Sequence, residues 1–475
     1  MKKILFIVAL VGLTITSCSE EFLQKDSQSD VSENQIAELA DSPESLLVTL
    51  TGLNTGVSNT LIQTGFAGTG HDDFGLKSID IGLDLMSNDM VQVRSHWFVN
   101  YYNYTGRVES SARTAAIWNF NYKLIFNANT IVKNTPAGTQ DPGLKAYLGR
   151  AKAMRGFAYF NLLRLYGNGV EGVPLWTELR DAKSGSISRS SAAEGTAFIK
   201  SDLESAVQLV AGYSRSNKTE VNENVAAGLL ARFYLETGEY ANAALMAKKA
   251  RNGIVFSTTS VRDGFSDINN AEWLWGADIT PLNTGIYASF FSHMGSLNPG
   301  YAGALGIFKS IDKRLFDKIT PTDVRSTWFV ASGSSKYVNT KFNDKTFFEG
   351  DYLFMRGAEM ALIEAEAQAL AGNDVAAQDA LFVLLSKRIT GYTRTTATGS
   401  ALLNLIRDQR GIELWGEGFA FYDMKRWGRD LTRTYTGSNH PSFGKKDYPA
   451  GSSKFVFQIP RSEINVNSTV TQNPL

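Results

Sequence analysis

AAGLLARFYLETGEYANAALMAKKA, residues 226–250, predicts a pair of packed helices. Its first half repeats apolar side chains at the three- and four-residue steps of a helix. Small residues such as Gly228 and Ala243 let paired helices approach closely, and Tyr240 after the Gly238 turn fills the groove between them. Two helices joined by such a turn are typical of a tetratricopeptide repeat.

A second helical pair is predicted farther along the chain. The same pattern recurs over residues 358–370 and 376–388. An ordinary helical hairpin is the alternative interpretation, but two matches at wide, irregular spacing favour diverged repeats. Such helices are expected within about 115–250 and 353–390, with a helical segment at 401–428 packed against them. The predicted fold class is mainly α, and a continuous sheet of five or more strands would contradict it.

Two long segments interrupt the helical periodicity. Residues 20–110 are polar and rich in Gly, Asn and Ser, which predicts short helices and loops. Residues 253–350 are an irregular insert with many aromatic side chains. Binding sites usually lie in loops that a rigid frame supports. We therefore expect a loop-rich ligand-binding insert on a helical scaffold.

The composition argues against several classes of function. The 475 residues include 47 basic and 47 acidic side chains, so no basic excess is available to neutralise nucleic-acid phosphates. One cysteine allows no intramolecular disulfide and no cysteine-based zinc cluster, and four histidines are too few for histidine-rich metal catalysis. Nucleotide-binding, serine-hydrolase and zinc-protease motifs are absent from the sequence. We expect no metal, no cofactor and no catalytic residue.

The N-terminus has the layout of a lipoprotein signal peptide. A basic start at residues 1–3 precedes an apolar run over 4–15 that is too short to span a bilayer, and Cys18 follows. We expect cleavage after residue 17 and lipidation of Cys18, palmitate included, because several acyl chains anchor a protein firmly. The alternative is a soluble exported protein that carries this cysteine in its signal by chance.

Two acidic clusters suggest catalysis or metal binding, but a structural interpretation is favoured for both. Glu413 and Glu417 stand one helical turn apart, as in a paired-carboxylate site. Four cations share their stretch, which favours an ion-pair network: Arg407, Arg410, Lys425 and Arg426. His71-Asp72-Asp73 is interpreted as a turn in a Gly-rich loop, since aspartate side chains satisfy turn backbones.

Six sequence motifs follow one another along the chain. They lie at residues 17–23, at 118–129 (W-x-x-x-Y-x-x-I-x-x-A-N), at 153–167 with 173–175, at 356–367 (R-x-A-E-x-x-L-x-x-A-E-A), at 413–418 with 423–427 (E-L-x-x-E-G and D-x-K-R-W), and at 459–464 with 472–474. Each motif is weak alone, but the ordered set resembles the SusD/RagB family of nutrient-binding outer-membrane lipoproteins. One departure is Gln409, where the family often has Glu, so that one ion pair is lost.

The resemblance implies a fold and a location. It implies a signal peptide at 1–17 and one SusD-like domain over 18–475, an α-α superhelix. Within that domain it implies an N-terminal part of about 20–215 and a C-terminal part of about 216–475 that includes the insert. The acidic residues after Cys18 resemble a surface-export signal of lipoproteins in the Bacteroidetes group, so the expected location is the outer membrane, facing the cell exterior. Retention on the inner leaflet is the alternative.

The resemblance also implies a function without catalysis. Such a protein captures an oligosaccharide and delivers it to a SusC-like TonB-dependent transporter. A peptide-binding, RagB-like member is the first alternative. A surface glycosidase is another, and it needs two carboxylates about 5–10 Å apart beside the aromatic residues. A purely structural scaffold without an exposed aromatic surface is the last.

Nine side chains are the candidate ligand contacts, because sugars stack on aromatic rings and bond to polar groups. They are Arg94, Trp97, Tyr101, Tyr102, Tyr104, Trp275, Tyr287, His293 and Trp328. The alternative for each ring is buried packing, since aromatic residues dominate protein cores. The segments around 94–104 and 273–328 are expected to meet on one side of the scaffold.

Overall fold

A computed structural model describes residues 43–63, 70–179 and 185–475. The chain divides into two compact units, residues 1–52 and residues 53–475. Of the first unit the structure describes only residues 43–52, which are helical. The predicted signal peptide and Cys18 lie outside the described residues.

Helices dominate the described chain. They are α1 (Pro43–Ile62), α2 (Leu76–Leu85), α3 (Val99–Tyr102), α4 (Ala112–Asn134), α5 (Pro142–Tyr166), α6 (Ala192–Leu209), α7 (Glu223–Thr237), α8 (Tyr240–Ala250), α9 (Phe290–Met294), α10 (Lys313–Phe316), α11 (Gly357–Leu370), α12 (Asp374–Leu385), α13 (Gly399–Glu413), α14 (Ala420–Arg426) and α15 (Arg461–Val466). The strands are β1 (Met90–Gln92), β2 (Trp273–Ala277), β3 (Lys309–Ile311), β4 (Tyr352–Arg356), β5 (Leu431–Thr432) and β6 (Asp447–Tyr448). The predicted, mainly α fold class is confirmed. Among these helices none is long and apolar enough to traverse a bilayer.

Helices α7 and α8 are the pair predicted from the opening stretch. The Asn222 side chain caps the start of α7, and Gly238 ends that helix in the left-handed conformation with φ of 80°. Ala243 on α8 is fully buried, as the close helix approach requires. At Gly228 an added Cβ would lie 2.4 Å from the sulfur of Met355, so a larger residue here would require that side chain to move.

Helices α11, α12 and α13 share one apolar core. Its fully buried members include Ala358, Leu362 and Ala365 of α11, Leu381 and Leu384 of α12, and Leu402 and Ile406 of α13. Each buried leucine contributes about 1.5–3 kcal/mol relative to an exposed one. The second predicted pair therefore forms, and the helical segment expected over 401–428 begins with a helix packed against it.

The strands form only two-stranded sheets within the described chain, paired as β1–β3, β2–β4 and β5–β6. The antiparallel β1–β3 pair places Gln92 opposite Lys309. It joins the segment before α3 to the insert, the two segments expected to share a binding face. The β2–β4 pair connects the insert to the start of α11, with Trp273 opposite Arg356.

Helix α6 lies within the range 115–250 where helices are expected, but none of the patterns above identifies it individually. It begins with a capping box in which Ser191 accepts from the amide of Glu194 and Glu194 accepts from the amide of Ser191. This Ser-x-x-Glu signal is readable in the sequence. Helix α1, with 20 residues, is also longer than the short helices predicted for residues 20–110.

Glu413 and Glu417 lie in a buried network of ion pairs, as the sequence predicts, but their partners come from other parts of the chain. The Glu413 carboxylate contacts three guanidinium groups at 2.7–3.1 Å: Arg325, Arg356 and Arg388. Glu417 pairs with Arg356 at 2.8 Å and with Lys341 at 2.6 Å. Burial would raise the pKa of Glu413, but the three guanidinium groups outweigh it and hold that pKa well below its usual range.

The four cations close to these carboxylates in sequence have other partners. Arg407 and Arg426 pair with Glu366, Arg410 pairs with Asp423, and Lys425 donates to the carbonyl of Arg164. Sequence proximity therefore predicts the network but not its members, since tertiary packing supplies the cations. The Gln409 carbonyl accepts a hydrogen bond from Arg325, so the neutral residue still serves the network.

Candidate ligand-binding surface

Six aromatic side chains meet at the surface, and we call them the aromatic patch: His71, His96, Trp97, Tyr287, Tyr301 and Phe347. Neighbouring ring centroids lie 5.5–6.4 Å apart. Tyr301 is central, because its ring contacts four of the other five. Tyr287 is 45% exposed and Phe347 is 54% exposed, while Trp97 and Tyr301 are half-buried.

The aromatic patch joins the two irregular segments that are expected to meet. Trp97 from the first segment lies 6.4 Å from Tyr301 of the insert, centroid to centroid. Arg94 reaches across as well and donates a hydrogen bond to the carbonyl of Leu305 at 3.2 Å. The expected meeting of the segments is confirmed.

Three residues beside the aromatic patch have a positive φ, which bulky L-residues rarely adopt. They are Phe98 at 72°, Ile286 at 51° and Phe348 at 64°, and each directly adjoins an aromatic-patch residue in sequence. Such a conformation costs on the order of 1–3 kcal/mol and persists only where the surroundings enforce it. Phe98 and Phe348 are buried, whereas Trp97 and Phe347 beside them are open to solvent. Strained backbone therefore accompanies the exposure of these rings.

His293 supports the aromatic patch from below. Its ring is sandwiched between Phe74, at 5.5 Å, and Tyr301, at 4.8 Å, and both pairs are stacked. Its Nε2 donates to the carbonyl of His71 at 2.9 Å. Burial, aided by the Lys309 ammonium, lowers the pKa of His293 well below its usual range, so the ring is neutral. His293 positions the rings above it.

Gln92 and Lys309 lie beneath the loop that carries Trp97. The Gln92 amide donates to the carbonyl of Arg94 at 3.0 Å and is fully buried. Lys309, opposite it, is 1% exposed, and the carbonyl of Ile307 at 3.5 Å is the one hydrogen-bond partner of its ammonium among the described residues. Burial lowers the pKa of Lys309 to about 7.

The His71-Asp72-Asp73 turn is structural, as expected. Residues 70–72 form a single 3-10 turn, and Asp72 pairs with Arg113 at 2.6 Å. Burial raises the pKa of Asp72 to about 6, and the Arg113 charge opposes that rise. Within the described part of the chain, no group of three or more His, Cys, Asp or Glu residues is arranged to hold a metal ion.

Three predicted ligand contacts at the first segment are core residues instead. Tyr101 packs on α2, where a Cβ added to Gly82 would come within 2.9 Å of its ring. The Tyr102 hydroxyl lies 2.5 Å from Nδ1 of His440, and the Tyr104 hydroxyl donates to the carbonyl of Met86. All three tyrosines are at most 4% exposed, so no ring face is open for stacking.

The predicted contacts Trp275, Trp328 and His293 are corrected for the same reason. Trp275 packs against Phe354, with ring centroids 5.0 Å apart. Trp328 donates its indole N–H to the carbonyl of Val261 at 2.7 Å, and both tryptophans are at most 2% exposed. Composition and spacing cannot distinguish a buried ring from an exposed one, because both occur in the same irregular segments.

Arg94, Trp97 and Tyr287 are the predicted contacts that do reach the surface. His96 and Tyr301 belong to the side-chain types that bind sugars but are not among the nine candidate contacts, and sequence reasoning does not consider His71 and Phe347 as ligand contacts. His96 and Tyr301 stand in the aromatic segments, which was a usable signal. No local pattern marks Phe347, which directly precedes Phe348 with its positive φ of 64°.

The fold and the aromatic patch define a class of protein in which a scaffold of paired helices carries an exposed aromatic surface. Comparison with known proteins identifies the family. Residues 21–235 match the family described as starch-binding associating with outer membrane, and residues 321–475 match the SusD family. The two matches lie in different parts of the chain and together span most of it. The chain belongs to the SusD-like family, as its motifs predict.

Individual relatives agree with this assignment. A SusD-like carbohydrate binding protein from Bacteroides vulgatus has a solved structure with a TM-score of 0.78 at 24% identity, covering 89% of this chain and 97% of that one. A SusD superfamily protein from Bacteroides thetaiotaomicron has a TM-score of 0.75 at 22% identity, covering 90% of this chain and 100% of that one. A SusD-like protein of Formosa agariphila is 34% identical over 157 residues, which are 32% of this chain and 29% of that protein. The match thus spans less than a third of that relative's length.

Proposed function

We propose that the protein binds an oligosaccharide on the aromatic patch and does not cleave it. The observation that carries the proposal is the continuous set of rings at the surface. The Trp97 ring neighbours that of Tyr301, which in turn neighbours that of Tyr287. Apolar C–H faces of sugars stack on such rings, and polar neighbours bond to the sugar hydroxyls. The nearby carboxylates of Asp72 and Asp73 are buried, so they are not placed as a glycosidase pair at the surface.

The names of the relatives support a carbohydrate ligand. The family matched by residues 21–235 is described as starch-binding, and the similar Bacteroides vulgatus protein is described as carbohydrate binding. Both descriptions concern those proteins. Together with the open rings, they make an oligosaccharide the favoured ligand over a peptide.

Trp97→Ala is expected to weaken oligosaccharide binding by about 1–3 kcal/mol and to leave the melting temperature nearly unchanged. The indole is half-buried and stands at the surface, so its loss removes a stacking face without opening the core. Calorimetric titration against an oligosaccharide library measures the first quantity, and thermal unfolding measures the second.

Trp328→Ala is the matched control, since it removes the same side chain from the core. It is expected to cost about 3–5 kcal/mol of stability. The aromatic-patch assignment fails if Trp97→Ala leaves oligosaccharide affinity unchanged. If peptide pools bind and no oligosaccharide does, the proposed function fails and the peptide-binding alternative replaces it.

We further propose that the protein is a lipid-anchored component of the outer membrane that faces the cell exterior. In this proposal it delivers its ligand to a SusC-like TonB-dependent transporter. The lipoprotein layout of residues 1–18 and the outer-membrane description of the family matched by residues 21–235 support this arrangement.

Cys18→Ala is expected to release the protein from the membrane without changing its thermal unfolding. The acyl anchor would be attached upstream of the helical scaffold, so the fold does not depend on it. Fractionation of cells that express either form measures the release. A Cys18→Ala protein that still pellets with membranes in the absence of other proteins contradicts the lipoprotein proposal.

A further inference from the structure

The edge of the aromatic patch carries a cation without an acidic partner. Arg94 is exposed, and its only hydrogen bond to the described residues is the one from Nη1 to the carbonyl of Leu305. A guanidinium group has five N–H donors in a planar fork, so most of them remain available to a ligand. Arg94 precedes His96 and Trp97 by two and three residues, and its guanidinium lies against the Leu305–Gly306 segment that follows Tyr301 in the insert.

The two aspartates that follow His71 of the aromatic patch are withdrawn from its surface. Asp72 and Asp73 follow His71 directly, and both are buried. The Asp72 carboxylate is already paired with Arg113 at 2.6 Å. The local surface therefore presents N–H donors and a positive charge, with these two carboxylates turned to internal partners.

A buried lysine, Lys309, lies beneath the rings. Lys309 has no carboxylate partner within the described ranges, and its ammonium lies 5.9 Å from the centroid of the buried Phe98 ring. Burial lowers the pKa of Lys309 to about 7, so this group carries only part of a charge at neutral pH and Arg94 is the cation available to a ligand.

We infer that the aromatic patch selects acidic oligosaccharides, which carry carboxylate or sulfate groups, over neutral ones. Arg94 would hold an acid group at the edge while the rings stack on the sugar faces, because a guanidinium group matches these anions with two parallel hydrogen bonds. This inference rests on the proposed function and specifies its substrate class.

The test compares matched ligands on the purified full chain. Oligogalacturonides are titrated alongside the same oligomers after reduction of their carboxyl groups to alcohols, which removes the charge and retains the sugar chain. Sulfated oligosaccharides and their desulfated forms make the second pair and distinguish the two sources of negative charge. We expect at least one acidic ligand to bind about tenfold or more tightly than its neutral counterpart, a difference that should shrink as salt is raised.

Arg94→Gln should abolish most of this preference. We expect about a tenfold loss of affinity for the acidic ligand and less than a twofold change for its neutral counterpart. Lys248→Gln on the exposed surface of α8 makes the same change of charge away from the aromatic patch and should leave both affinities unchanged. Thermal unfolding of each variant verifies that the fold is intact.

The outcomes separate this inference from the proposed function. Equal binding of acidic and neutral partners, or a preference that survives Arg94→Gln, overturns the charge inference. If Trp97→Ala still abolishes that binding, the proposed function stands. If no oligosaccharide of either kind binds, both fail.

Discussion

Glu413→Ala is expected to lower the free energy of unfolding by about 3–5 kcal/mol, because it leaves the buried network with one uncompensated positive charge. The three arginines around Glu413 each keep one other carboxylate partner: Asp323, Glu417 and Glu272. Arg325, Arg356 and Arg388 all contact this carboxylate, and each is at most 1% exposed. Urea-induced unfolding followed by circular dichroism measures the change.

The control is Asp379→Ala, which breaks an exposed pair with Arg394. Exposed ion pairs contribute little, so a much smaller loss is expected. Glu413→Gln retains a carbonyl acceptor and should fall between the two, which keeps the test decisive if the alanine variant does not fold. A Glu413→Ala protein as stable as the Asp379→Ala protein would contradict the structural role of the network.

Lys309→Met is expected to be more stable than the wild type at pH 7, and that advantage should shrink by about 3 kcal/mol between pH 7 and pH 9.5. Burial lowers the pKa of Lys309 to about 7 from its usual 10.5. Between these values the unfolded chain binds the proton and the folded chain does not, so wild-type stability rises with pH. Below about pH 7 the full penalty of the buried charge is present.

Unfolding titrations at both pH values measure this difference. Burial also lowers the pKa of Lys341 and of Lys425, each to about 8, but both residues are unchanged in the variant and cancel in the comparison. Lys248→Met, on the exposed surface of α8, should parallel the wild type. Parallel curves for Lys309→Met and the wild type would show that the ammonium has a charged partner or solvent access.

Local patterns predict the helical scaffold well. The turn at Gly238 and the small residues of α7 and α8 favour a closely packed helix pair. Residues 226–250 therefore predict this pair without information from the rest of the chain. The ordered motifs likewise predict the family. The missed helix α6 shows the limit of apolar periodicity, because its clearest signal is the capping box at Ser191 and Glu194.

The candidate site is predicted less well, because exposure is a tertiary property. Trp97 and Trp328 stand in similar polar, aromatic-rich surroundings in the sequence, yet one lies at the surface and the other in the core. The difference depends on which distant segments cover each ring. Of the nine predicted contacts, the six buried ones are those covered in this way.

The sequence by itself determined the helical pairs, the family and the two segments from which the aromatic patch is built, since each depends on spacing along the chain. Only the tertiary structure decided which rings form that surface and which cations pair with Glu413. The strained backbone at Phe98 and Phe348, the β1–β3 pairing and the packing of His293 under Tyr301 set those positions. These are contacts between residues far apart in sequence, and no local pattern encodes which of them will form.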